Sequence, residues 1–174
     1  NPISFSDPFG LAACPKDVGG DGKTATVDDC SETIQTEWAK THIVVNEATD
    51  WKDVDAVLKS AVIRTSMDLR KTLYVYAGKE PGHSVEGRHA EGGAVDISRI
   101  DGVKFSLMDD ASAAALGNAI GAGIANRLPF GQVKMVFTPG MAFRFDRPMS
   151  LEQNRALIGA HRDHVHVSVI GSTP

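Results

Sequence analysis

Two short stretches of the chain hold the residues with the widest chemical reach. The first is Gly87-Arg88-His89-Ala90-Glu91-Gly92-Gly93-Ala94-Val95-Asp96-Ile97-Ser98, the second Asp163-His164-Val165-His166. With His161 just ahead of the second, they account for four of the six histidines. Two imidazoles and a carboxylate, with a fourth position left to water, form the ligand set of a catalytic zinc site. Alone, a His-x-His pair or a His-x6-Asp pair is weak evidence for metal, and it is their conjunction in one chain that points to a site.

The elements that would position these groups can be read locally. His164-Val165-His166-Val167-Ser168-Val169-Ile170 is rich in β-branched residues and reads as a strand. Alternation with period two puts His164 and His166 on one face and Val165, Val167 and Val169 on the other. Ala94 to Ser98 also reads as a strand. Gly92 and Gly93 permit the tight backbone path that would fold His89 back over Asp96. No Gly-x-Ser-x-Gly element and no nucleophilic cysteine competes for the chemistry.

His-x6-Asp with small residues between, followed far downstream by Asp-His-x-His, resembles the zinc D-alanyl-D-alanine carboxypeptidases and their wider clan of lysostaphin-like, D-Ala-D-Ala and hedgehog-type (LAS) domains. Gly87-Arg88-His89-x-x-Gly92-x-Ala94-x-Asp96 is similar to their first metal motif, with Gly87 where relatives have serine. The resemblance spans roughly Tyr74 to Ile170. It implies His89, Asp96 and His166 as zinc ligands, Asp163 as general base and His164 as the residue that steadies the oxyanion. His161 would reach the substrate or hydrogen-bond an outer group. Relatives carry an arginine after the strand matched by Leu73–Ala77 that holds the substrate carboxylate; Lys79 and Arg88 are the cations nearby here. The implied fold is α+β: a small, mainly antiparallel sheet with flanking helices, hedgehog/DD-peptidase-like, with the metal cleft on the face away from the helices. The implied substrate is a peptide stem or cross-link of peptidoglycan.

Composition agrees with one globular domain, with room for an appended segment. The 174 residues suffice to bury a sizeable core, and 42% hydrophobic with 23% charged residues is ordinary for a globular protein. A net charge of −4 without a basic cluster does not suggest a nucleic-acid-binding surface. The Ala/Gly-rich run from Ala113 to Ile124 is short for a membrane span, which needs about 20 residues; its small side chains instead suit a helix lying close against a sheet. No transmembrane segment is expected. The chain lacks an initiating methionine and a signal peptide, as expected of a fragment or a processed form.

Residues 1–11, Asn-Pro-Ile-Ser-Phe-Ser-Asp-Pro-Phe-Gly-Leu, have the Asn-Pro and Asp-Pro steps of an extended, turn-bearing strip. The string resembles the end of an RHS repeat core, which closes with Asn-Pro and Asp-Pro-x-Gly-Leu. That resemblance implies self-cleavage after Leu11 with Asp7 taking part, an RHS shell in the parent chain, and a toxin domain over 12–174. A delivered effector that acts on the cell wall would work in the target cell's periplasm, and its producer would need a cognate immunity protein. Cys14 and Cys30 are the only cysteines and bracket a Gly/Asp-rich loop over 12–30. A disulfide between them fits an oxidising compartment and would contribute on the order of 3 kcal/mol; two unrelated thiols are the other reading.

The remaining elements follow from pattern and punctuation. A short helix is predicted over Ser31–Lys40 with Ser31 as its cap, and a longer one from about Asp50 to Lys71, with Val54, Val57, Leu58, Ala61, Val62 and Leu69 on one face. Leu73–Ala77 and Gln132–Phe137 read as strands, and Ile100-Asp101-Gly102-Val103 as a turn. Asp109 or Asp110 caps a helix to about Leu128, and Ser150-Leu151-Glu152-Gln153 has the form of a capping box. Phe143–Pro148 could wall a cleft. His83 suits the surface. Two other functions are open from sequence: a metal-dependent or two-histidine phosphoesterase, since His166-Val167-Ser168 is a His-x-Ser motif with His83-Ser84 as its imperfect partner, and a zinc-stabilised binding module without catalysis.

Overall fold

The computed structural model describes residues 27–46, 51–77 and 88–171. Asp7, Leu11, Lys79, His83 and Cys14, and with Cys14 its pairing to Cys30, lie outside them. Within them the chain is α+β, as expected, with four α-helices and a seven-stranded mixed sheet. The strands are β1 (Ile43–Val45), β2 (Leu73–Ala77), β3 (Ala94–Ile100), β4 (Val103–Lys104), β5 (Val133–Phe137), β6 (Ala142–Arg144) and β7 (Val165–Val169). The helices are α1 (Val27–His42), α2 (Ala56–Leu69), α3 (Asp110–Ala125) and α4 (Leu151–Ala160). Strand order is β1-β2-β3-β7-β5-β6, with β4 folded back on β3 through a turn at Asp101 and Gly102, both at positive φ. Only β1 and β2 run parallel.

Alternation along the central strands sorts the molecule into two faces. Val95 and Ile97 of β3, Val136 of β5 and Val165 and Val167 of β7 are buried in one core with Leu58, Ala61 and Val62 of α2 and Ile120 and Ile124 of α3. Each such side chain is worth about 1.5–3 kcal/mol when fully buried, so this face supplies most of the stability. α3 lies close to the sheet because its glycines allow it: a Cβ on Gly121 would meet Thr138 Cγ2 at 2.8 Å and Val136 Cγ1 at 2.9 Å. The other face presents Ala94, Asp96, Phe137, His166 and Ser168, which share register across β3, β7 and β5.

Several local expectations are met and several corrected. Asp109 caps α3 by accepting from Ser112 N at 2.9 Å, and Ser150 and Gln153 form the full capping box of α4. α1 begins at Val27, not at a Ser31 cap, and runs two residues past Lys40. The long helix is divided: a 3-10 turn over Trp51–Asp53 precedes α2, whose cap is Asp55, accepting from Val57 N and Leu58 N. That cap shifts the buried stripe to Leu58, Ala61, Val62, Thr65 and Ser66, leaving Val57 exposed. α4 is not on the core side. Leu157 and Ile158 pack with Met135, Phe137 and Ala142 on the polar face, so a helix flanks the cleft.

Candidate metal centre

β7 lies between β3 and β5, and antiparallel register sets Asp96 directly opposite His166, with Phe137 opposite His166 on the other side. The Phe137 ring stacks on the imidazole at 5.7 Å between centroids and restricts its rotation. His89 arrives from a 3-10 turn, His89–Glu91, bracketed by two left-handed residues, Arg88 (φ 62°) and Gly92 (φ 72°). The turn is fixed at both ends. Gly92 O accepts from Asp55 N at 2.9 Å, and a Cβ on Gly92 would lie 2.1 Å from Asp53 O, so only glycine fits there. Arg88 O accepts from Gly93 N, while its guanidinium pairs with Glu91 at 2.6 Å and lies against Gly171.

These elements bring His89, Asp96 and His166 together, all buried, as the sequence predicted. His166 Nδ1 is 2.8 Å from Asp96 Oδ1, His89 Nε2 is 3.4 Å from Asp96 Oδ2, and the two nitrogens are 3.3 Å apart. Zinc bonds of about 2.0–2.2 Å in tetrahedral geometry separate ligand atoms by about 3.4 Å. The His89–His166 separation and that from His89 to Asp96 Oδ2 are near this value, while the shorter contact from His166 is to the other oxygen, Oδ1, at hydrogen-bond length. Two nitrogens and one carboxylate oxygen, all within 4.8 Å of one another on buried side chains, form a set that could hold a metal ion.

Burial of Asp96 opposes its charge, but hydrogen bonds from His166 and His89, aided by their proximity, hold the carboxyl far below the ordinary carboxylate range. The nitrogens that hydrogen-bond the carboxylate are the same ones that would ligate a metal, so a bound ion would take the place of those hydrogen bonds.

A second group surrounds this trio. His164 Nδ1 donates to Asp163 Oδ1 at 2.6 Å, with the Asp163 side chain 65% exposed and that of His164 23%. His161, at the end of α4, donates Nδ1–H to Leu157 O at 2.7 Å, and its ring packs on Phe137, His164 and His166. Burial lowers the His161 pKa to about 4, so the ring is neutral near pH 7 with its free lone pair on Nε2. Asp163 also forms part of the wall of a groove of about 710 Å³ between the Phe105–Met108 turn and the end of α4, where Arg155 and Arg162 stand.

The sequence reading singled out neither Phe137 nor the Glu91 partner of Arg88. Ser168 figured there only as the end of a His-x-Ser motif. Its place on the metal face was nonetheless visible in the alternation His164, His166, Ser168. The two-histidine phosphoesterase reading needs His166 and Ser168 open to substrate, yet both are buried and His166 Nδ1 is turned to Asp96. Among the described residues no helix is long and apolar enough to cross a membrane. In comparisons with protein-family models, with curated proteins and with solved structures, nothing matches the chain.

Proposed function

We propose that the chain is a zinc-dependent peptidase that hydrolyses amide bonds in the peptide stems or cross-links of peptidoglycan. The observation that carries the reading is the buried His89–Asp96–His166 trio with the Asp163–His164 pair beside it. A purely structural site closes its fourth position with a further Cys, His or carboxylate; the described residues group only these three. Zinc bound there would supply Lewis acidity, polarising a carbonyl and bringing the pKa of water toward about 7.

The chain's own groups supply the rest. Asp163 takes the proton of the attacking water at its carboxylate and returns it to the leaving amine. Its hydrogen bond with His164 Nδ1 orients that ring, which steadies the developing oxyanion. His161, held by Leu157 O, excludes water behind His166 and offers Nε2 as an acceptor toward substrate. Of these groups only Asp163 also lines the groove along α4, where Arg162 is paired with Asp110; the three metal-site residues do not line it.

In this reading residues 12–174 are the toxin of an RHS-repeat protein, freed by cleavage after Leu11 and active in the periplasm of a rival bacterium. A cognate immunity protein protects the producer. The support is the resemblance of residues 1–11 to an RHS core terminus and the cell-wall chemistry of the metal motif. The test is mass spectrometry of purified peptidoglycan fragments incubated with zinc-loaded protein, beside a chelator-treated control. A chelator-sensitive mass loss identifies the bond cut; intact fragments with zinc bound sink the cell-wall reading and leave the non-catalytic binding module.

A further inference from the structure

Among the described residues three buried side-chain polar atoms have no hydrogen-bond partner: Arg88 Nε, His166 Nε2 and Ser168 Oγ. Two of them belong to β7, two residues apart on the metal face. Buried polar groups are almost always paired, so each of these orphans on a central strand calls for a partner.

Metal chemistry defines that partner. His166 turns Nδ1 to Asp96 and His89. As a ligand, Nδ1 is unprotonated, and the neutral ring carries its one proton on Nε2. Ligating histidines almost always give that second N–H an acceptor, which fixes tautomer and orientation. Among the described residues no protein atom accepts it. Ser168 is fully buried, and its cross-strand neighbours are Ala94 and Met135, neither with a hydroxyl or N–H side chain to engage Oγ. Apolar packing alone would be served as well by alanine or valine, the residue on either side of Ser168.

We infer that Ser168 is a positioning residue of the metal centre: its Oγ and His166 Nε2–H share one buried water, which locks His166 in the tautomer that presents Nδ1 to the ion. Waters bridging buried polar groups are an ordinary component of protein interiors. The inference rests on His89, Asp96 and His166 being ligands. Ser168 itself touches neither metal nor substrate.

The experiment compares Ser168→Thr with Ser168→Val, which have nearly the same shape and differ in the hydroxyl. Zinc affinity is measured by competition with a chromophoric chelator, and the cobalt-substituted forms are compared by visible absorption. The valine variant is expected to bind zinc about 10- to 100-fold more weakly, the range for losing such an outer partner, with an altered cobalt spectrum. The threonine variant is expected to stay close to the parent. Equal affinities and spectra for the two overturn the role of Ser168 while leaving the metal site standing. A parent protein that binds no zinc overturns the ligand assignment instead. Because either variant could fail to fold, the zinc-loaded parent is also read by nitrogen-15 NMR. A slowly exchanging proton on His166 Nε2 in contact with a long-lived water supports the inference, and an unprotonated Nε2 overturns it.

Discussion

The inner trio and the outer trio of the site are built by opposite means. His89, Asp96 and His166 are at most 6% exposed, and two of them face each other on neighbouring strands in a fixed register. His161, Asp163 and His164 occupy the turn between α4 and β7, where Asp163 is largely open to water. The contrast matches what each group would do under the proposed function. Ligands need separations held to a few tenths of an ångström, which strand pairing gives cheaply. Groups that pass protons need access to solvent and to a substrate, which a turn at the sheet's end allows. The inner trio is therefore expected to govern metal retention and the outer trio turnover.

The largest effect that would break this division is at Asp96. Asp96→Asn should weaken zinc binding by more than the roughly 100-fold seen for outer-partner losses, read by equilibrium dialysis. Retention of stoichiometric zinc would mean the carboxylate is not a ligand. Next, Asp163→Asn should keep zinc while lowering kcat by about 10²- to 10⁴-fold, the usual contribution of general acid–base groups; loss of zinc along with activity would merge the two trios into one. Both are read against the same peptidoglycan fragments.

The backbone beneath His89 gives a third, smaller effect. Gly92→Ala places a Cβ 2.1 Å from Asp53 O at φ 72°, so it should cost more than the about 1–2 kcal/mol of the left-handed conformation alone. Gly131→Ala has a similar φ of 80° with nothing near and should cost only that conformational amount. Urea unfolding of the two variants compares them; equal losses would mean the His89 turn yields freely.

The smallest effect is in pH. The folded His161 pKa, about 4, lies below the ordinary value near 6.5. Its stabilisation is complete above about 6.5 and disappears as pH falls toward 4, because the unfolded chain binds the proton first. Asp96, also depressed, adds a loss only below its ordinary range near 3.9. Metal-free protein should lose Tm between pH 6.5 and 4, and His161→Phe should flatten that slope by about 3 °C, equivalent to roughly 1 kcal/mol at this size. An unchanged slope would place the acid sensitivity elsewhere.

Much of this was legible in the chain. Period-two alternation in His164–Val169 separated metal face from core face, and it did so because side-chain direction in a strand is set residue by residue. The caps Asp109 and Ser150 were readable because a capping bond spans three residues. The Asp55 cap was missed because Trp51–Asp53 continue a helix-like pattern, although its bonds from Val57 N and Leu58 N are as local as those at Asp109 and Ser150. Residue types and local spacing thus determined the elements, the sorting of faces and the candidate ligands. What the tertiary structure alone decided is the insertion of β7 between β3 and β5, the register that sets His166 against Asp96, the pairing of Asp163 with His164, and the isolation of Ser168. Each joins residues distant in sequence or depends on what packs around them, and no local pattern encodes which strand edges meet.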